Sequence, residues 1–510
     1  MTGTWRTLLI SLRTSWALIV VPPLLWALLA WLMAGSISGT YDSQEAIAQY
    51  ESFVGTAPAT ELLQGHGWGL ETAGGIFAQQ MAVMVLTLFL FYAAWLGVRL
   101  TRTMEDKGYF DVISSGTVGR LAPTGAGLSA SLMAAVLTGA GMTLVSSTHG
   151  FGFQSSVLYG LIVTLSMAMA AALGAVSAQL FRNSTEALYL TSSIIVALYL
   201  VRGLADYYSW NAVWANPSNW VAEAAPYSST PAAWPHIAFF VLTTALVSLT
   251  LAFAGIRDLG GGVFPARNGR ATARKVLRSS TALLLRLTWK TTAVIIIIGG
   301  MVCLVLSAFN DQPGATGNST TQTEFLSQLS AEIAAVAAVS VVGVLSKEEK
   351  HGRTGRVLAS PLGRGRWYAA GFTISIASSL VVVLILGTAS GLGIWSATSH
   401  PDSLTSALTG ALTYFPAVAL CSTLALVLSA IKPGLNNLVW AIVGWSIIVT
   451  LPSNILELSE TTRCISPFEI LNEPTLHSWS NGVEIIMGTL AIALALAGRM
   501  AFTRRDLVAG

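Results

Sequence analysis

The sequence predicts an all-α polytopic membrane protein: twelve transmembrane helices in two parallel six-helix repeats, each opened by a basic amphipathic helix. Three observations lead there. Of 510 residues, 53% are hydrophobic and only 10% are charged, with a mean hydropathy of +0.65, whereas soluble chains carry about 25% charge. Twelve strongly apolar runs divide the chain. Finally, residues 98–128 recur weakly, without a gap, at 342–372.

A hydrocarbon core about 30 Å thick needs roughly 20 apolar residues per helix, and the backbone groups inside it must bond within the helix because no water reaches them. Runs meeting this test lie near 17–35, 76–98, 124–146, 156–181, 187–206, 236–256, 291–308, 326–345, 368–390, 405–430, 437–452 and 483–503. The run at 437–452 is the shortest and is expected to need a neighbouring re-entrant segment. Before the first run, residues 4–16 place Trp5, Leu8, Leu9 and Leu12 on one side and Arg6 and Arg13 elsewhere; 274–290 repeat the idea. Such a helix can lie in the membrane interface; the alternative is the plain start of the next span. No small-residue cleavage pattern follows the first run, so it is expected to be retained as a span. Residues 36–72 and 309–325 read as polar loops, while 207–233 and 453–482 carry Trp and Pro and read as partly re-entrant caps. The Gly- and Arg-rich stretch 257–275 reads as a linker between a first half, 1–256, and a second half, 276–510.

Lys and Arg orient the spans, because cytoplasmic loops hold an excess of them. A cytoplasmic N-terminus puts 25 of the 27 basic residues on that face, leaving only Arg202 and Arg463 outside, against 8 of 24 acidic residues inside. Both termini are therefore expected in the cytoplasm. The net charge of +3 reflects this orientation and gives no sign of nucleic-acid binding.

The two copies of the repeated segment coincide at Glu105/Glu349, Gly108/Gly352, Gly119/Gly363, Arg120/Arg364, Ala126/Ala370 and Gly127/Gly371. Further landmarks follow in order: Pro217/Pro467 and Glu223/Glu473 before the sixth and twelfth spans, then Arg257-Asp258-Leu259 and Arg505-Asp506-Leu507 after them. Six spans per half, both starting inside, make the repeats parallel. In each copy an acidic pair ends a span, a glycine able to cap it in the left-handed conformation follows, and about ten residues later comes Gly-Arg. A partner-docking surface used twice is the reading this favours. A solvated loop obeying the positive-inside rule accounts for the basic residues but not for the repeated Glu. The candidate residues are Glu105, Asp106, Gly108, Gly119 and Arg120 in the first copy, and Glu348, Glu349, Gly352, Pro361, Gly363 and Arg364 in the second.

This pattern resembles the permeases of type-2 ABC exporters, in particular the double-length, twelve-span actinobacterial permeases of polyketide-antibiotic export. Their loop reads roughly E-E-D-x-G-R-L-E-L-L-R-A-x-P-V-G-R. Glu105, Asp106, Gly108, Val118, Gly119 and Arg120 match it, while Met104 and Thr117 depart and Asp111 stands in for the later acid. In the second copy Glu348, Glu349, Gly352, Arg353, Pro361, Gly363 and Arg364 match, and Gly355 replaces the later acid. The resemblance implies that the amphipathic stretches are elbow helices and that the loops hold coupling helices. It also implies that two ABC ATPase subunits bind beneath the permease in a bacterial plasma membrane. ATP and Mg belong to those subunits, with no cofactor on this chain. The expected cargo is a small hydrophobic or amphipathic molecule: an antibiotic, a drug or a lipid.

The remaining residues fit a permease. No GxxxxGK[ST] phosphate loop is present, so the chain is not expected to hydrolyse ATP. Cys303, Cys421 and Cys464 form no CxxC pair, and the six His are scattered; neither a metal site nor a disulfide framework is expected. The alternative, a 6+6 secondary transporter of the major-facilitator type, needs ionisable groups within several spans. The clearest acid within a span is Glu332, with Arg202 and Asp206 near the end of another. Glu332 either lines a substrate cavity or serves as a structural hydrogen-bond partner. A membrane anchor is disfavoured because no soluble domain is present to be anchored.

Overall fold

A computed structural model describes residues 3–56, 65–106, 108, 118–208, 210, 213–258, 260–264, 279–308, 319–398, 402–450, 463, 465–472 and 482–506. Every regular element among them is helical. The chain divides into two compact units, Met1–Gly269 and Arg270–Gly510. Among the described residues eleven helices are long and apolar enough to cross a bilayer.

In the first unit these are α1 (Thr4–Thr40), α3 (Ala73–Asp106), α4 (Ala122–Thr148), α5 (Phe153–Leu180), α6 (Ser184–Tyr207) and α8 (Trp234–Ile256). Two shorter helices, α2 (Gln44–Thr56) and α7 (Trp220–Glu223), lie in the stretches read as a polar loop and as a partly re-entrant cap, respectively. The most deeply buried span is α5, and α3, α4, α6 and α8 all pack on it. Its residues are small where neighbours cross. A Cβ at Gly97 of α3 would collide with the Ala171 carbonyl oxygen of α5, and one at Gly174 with the Ala94 carbonyl oxygen. Lipid supplies no hydrophobic drive between helices, so such small-residue contacts, which bring backbones close, stabilise the bundle by packing.

The second unit comprises α9 (Ser280–Ala308), α10 (Ser319–Lys350), the short α11 (Arg353–Leu358), α12 (Arg364–Thr398), α13 (Ser403–Thr413), α14 (Phe415–Ile431), α15 (Val439–Thr450), the short α16 (Glu469–Asn472) and α17 (Gly482–Arg504). Here α10 is central and packs on α9, α12, α13, α14 and α15. The fourth span is built from α13 and α14, with Pro416 in the first turn of α14. In the first unit α1 packs on α4, α3 on α5 and α5 on α8; in the second α9 packs on α12, α10 on α14 and α14 on α17.

Three expectations change. Residues 4–16 form no separate interfacial elbow: α1 continues unbroken from Thr4 through Pro22 and Pro23 to Thr40. No breaker stands between Arg13 and the span. The amphipathic pattern instead marks two sides of one long helix. Leu8 and Leu12 pack with Ile19, Leu96 and Ala130, while Trp5, Leu9 and Trp16 are exposed. The counterpart, 280–290, likewise runs straight into α9; residues 274–278 lie outside the described residues. The span expected at 437–452 is a shorter apolar helix, Leu435–Thr450. Twelve α-helical residues in α15 rise about 18 Å, less than the core thickness, and 451–462 lie outside the described residues. The start of the expected linker is packed rather than loose: the Val263 and Phe264 N–H groups donate to the Gln179 and Leu180 carbonyls, each at 3.0 Å.

Candidate functional site

The repeated segments begin where the second span of each unit ends. In the first unit that end is distorted. Residues Arg99–Thr103 of α3 form a π-helical turn, which holds one residue more than an α-turn and so rotates the side chains that follow. Arg102 is thereby fully buried and Glu105 nearly so.

Glu105 meets Arg257, the residue directly after α8. The Nη1 of Arg257 donates to Oε1 at 2.7 Å and Nη2 to Oε2 at 2.5 Å. The Gly260 N–H adds a bond to Oε1 at 2.6 Å, and Arg102 Nη1 lies 3.4 Å from Oε2. Arg257 also reaches the end of α5, its Nε donating to Gln179 Oε1 at 2.6 Å. Arg102 in turn holds the loop after α5, donating through Nε to the Arg182 carbonyl at 2.8 Å. Asp106 is partly exposed; its Oδ2 accepts the N–H of Ser184, the first residue of α6, at 3.1 Å.

The second unit repeats the arrangement with fewer bonds. Arg505, directly after α17, places Nη2 2.6 and 2.7 Å from the two oxygens of the buried Glu349, and the Oε2 contact is a hydrogen bond. The same nitrogen reaches the Ser429 carbonyl of α14 at 3.3 Å. The Gly-Arg arginines join as well. Arg364 Nη1 donates to the Arg505 carbonyl at 2.8 Å, and Arg120 Nη2 donates to the Arg257 carbonyl. Thus the acid that opens each segment, the arginine that closes it and the arginine after α8 or α17 converge in both units.

Two-pronged Arg–carboxylate bonds are directional as well as strong. The clamp therefore fixes the end of the second span against the end of the sixth, with the intervening loop anchored at both of its ends. Glu105 and Glu349, expected at the surface to meet a partner, are buried and paired inside their own units. Two span ends packed side by side exclude water there, and a carboxylate so placed needs an internal cation. Gly108 and Gly352 take the left-handed conformation, at φ 76° and 68°, with N–H groups donating to the Glu105 and Glu349 carbonyls. After Gly352 the chain forms α11; residues 109–117, where the matching helix is expected, lie outside the described residues. Glu348 is bonded at the surface to Arg353 at 2.6 Å. Gly119 is half-buried, and Arg120, Pro361 and Gly363 are exposed.

Nothing in the sequence signalled Arg102 as a buried anchor, since it reads as one more positive-inside residue. Glu332 lies apart from the clamps, fully buried on α10. Arg202 is fully buried too, 3.7 Å from Asp206. A cavity of about 250 Å³ opens beside Thr4 between α4, α5 and α8, lined by Leu128, Leu132, Ala168, Val247 and Leu251. Among the described residues no group of three His, Cys, Asp or Glu is placed to hold a metal ion.

Residues 277–503 match the family described as multidrug efflux system permease Rv1217c, C-terminal domain. The chain is similar to an efflux permease. Over 99% of its own length and 95% of the relative's, it is 26% identical to the multidrug efflux system permease protein Rv1217c of Mycobacterium tuberculosis (strain ATCC 25618 / H37Rv). With eleven helices able to cross a bilayer, this similarity supports a multi-pass transmembrane permease of the efflux type.

Proposed function

We propose that the chain is the permease subunit of an ATP-driven exporter that moves hydrophobic or amphipathic drugs out of a bacterial cell. ATP is hydrolysed by separate ABC ATPase subunits docked on the cytoplasmic loops 106–120 and 348–364. The observation that carries this reading is the duplicated clamp. A loop tied through Glu105–Arg257 or Glu349–Arg505 to the end of the sixth span transmits a push at its exposed residues to two spans at once, and a subunit that moves on ATP binding delivers such a push. Docking falls to the exposed groups, among them Arg120, Arg353, Pro361 and Gly363, while the buried carboxylates carry the motion inward. The similarity to a multidrug efflux permease and the apolar lining of the cavity beside Thr4 support an apolar cargo.

The test is efflux from proteoliposomes holding the chain with and without an ABC ATPase. Pro361→Cys should crosslink to the ATPase, and Arg353→Glu with Gly363→Trp should abolish ATP-dependent efflux while leaving the thermal stability of the chain unchanged. Efflux that proceeds without ATP and collapses with the proton gradient would instead establish the secondary transporter.

A further inference from the structure

The second unit holds a buried polar cluster that the clamp does not use. Glu332 of α10 has no exposed surface. Its Oε1 accepts the Thr450 hydroxyl at 2.6 Å and the Gln328 amide at 3.4 Å, whereas its Oε2 is buried with no hydrogen-bond partner among the described residues. The neighbouring Glu469 of α16 is better provided for: Gln328 Nε2 donates to Oε1 at 2.9 Å and Arg463 Nη2 to Oε2 at 2.7 Å. Ser466, at the start of the same segment, donates to Ser446 of α15 at 3.0 Å.

Charge decides what Glu332 holds. Among the described residues Glu469 and the Cys421 thiol of α14 are the ionisable groups that act on it, and the one nearby cation, Arg463, is bonded to Glu469. Of the helices packed on α10, α13 and α15 have no ionisable residue. Those of α12 (Arg364, Arg366, Tyr368) lie in its first turns, and α9 has Arg286 and Lys290 near its start and Cys303. An ionised Glu332 is thus a buried anion beside a second anion, without a cation and with one oxygen bare. Within a span a carboxylate is neutralised by a cation or by a proton, and the described residues offer it no cation.

We infer that Glu332 is a proton-binding site whose proton allows the Gln328, Thr450 and Glu469 cluster to hold Arg463 and residues 465–472 against α10 and α15. Loss of that proton places two negative charges around one guanidinium and loosens the segment. The state of that end of the second unit then follows the proton concentration it meets. This inference rests on the cluster alone and stands whether or not an ATPase drives the chain.

The test is infrared difference spectroscopy on the purified full-length chain in lipid, comparing wild type with Glu332→Gln. At about pH 6, well above the ordinary glutamate range near 4.3, wild type should show the carbonyl stretch of a neutral carboxylic acid. That band should be sensitive to D₂O and absent from Glu332→Gln. Glu332→Asp should shift the band rather than delete it, which guards against a Gln variant that does not fold. Loss of carboxylate bands instead, in either comparison, overturns the assignment. Hydrogen exchange of the 465–472 amides should rise several-fold more with pH in wild type than in Glu332→Gln; equal rises overturn the link to the segment.

Discussion

Removing the Glu105 carboxylate perturbs the clamp at its centre. Glu105→Gln keeps the side-chain shape but leaves Arg257 and Arg102 as two buried guanidiniums whose one remaining anion is the partly exposed Asp106, 3.3 Å from Arg102. Breaking a buried ion pair by deleting one partner costs roughly 3–5 kcal/mol, because the other charge stays buried. Glu349→Gln removes a single-pronged bond to Arg505, whose side chain is 15% exposed. Water can then solvate the arginine, and the expected cost falls to about 1.5–3 kcal/mol, the range for hydrogen bonds to charged groups. Equilibrium unfolding in mixed micelles should therefore order the variants wild type, Glu349→Gln, Glu105→Gln. Arg257→Gln combined with Glu105→Gln should cost less than the sum of the two singly, since the second change removes the stranded charge. A Glu105→Gln loss within about 0.5 kcal/mol of wild type, typical of surface changes, or strict additivity in the cycle, refutes the buried clamp. Glu105→Lys puts a third cation into the site and should lower the folded yield.

Two further outcomes follow from the backbone. Gly108→Ala and Gly352→Ala should each cost about 1–2 kcal/mol in the same unfolding assay, the penalty of a left-handed non-glycine residue. At Gly108 no described residue lies within 4 Å of an added Cβ, so the dihedral sets that loss among the described residues, and an unchanged midpoint would refute the cap. Gly97→Val drives a branched side chain into the Ala171 carbonyl and should cost at least the roughly 1–3 kcal/mol of an overpacked core, read as a lowered midpoint and a lower yield of monodisperse protein; wild-type behaviour would refute the close crossing of α3 and α5.

Much of this arrangement was written in the sequence as coincidences without geometry. Glu105/Glu349, Arg120/Arg364 and Arg257/Arg505 each stood out as repeated positions, and the glycine caps followed from their place after an acidic span end. What periodicity and charge counting do not carry is burial. A repeated Glu in a basic loop reads as a surface group that meets a partner, and the 152-position separation of Glu105 and Arg257 leaves no local signal that they meet. The same limit hid the role of Arg102, because a π-turn has no compositional signature and yet decides which side of α3 a charge faces. The elbow was misread for a related reason. Amphipathicity at 4–16 is equally a property of an interfacial helix and of a span with one packed side, and continuity through Pro22 and Pro23 distinguishes them only in three dimensions.

The inequality of the two clamps bears on how a push at the loops would be shared. Arg102 and Ser346 stand at the same place in the repeat, 244 positions apart, and both secure the connection between the fourth and fifth spans. Arg102 does so as a cation, donating to the Arg182 carbonyl; Ser346 does so as a neutral acceptor, taking the Gly434 N–H at 3.0 Å. In the first unit the extra positive charge requires a carboxylate that serves two guanidiniums and a backbone N–H, so loop, second span and sixth span are bound through one ionic centre. The second unit replaces that centre with a single Arg505–Glu349 pair and a separate hydroxyl contact, which can part independently. On the proposed reading, motion entering at loop 106–120 reaches the first unit's spans as a rigid displacement, whereas loop 348–364 can yield relative to α17 before α10 moves.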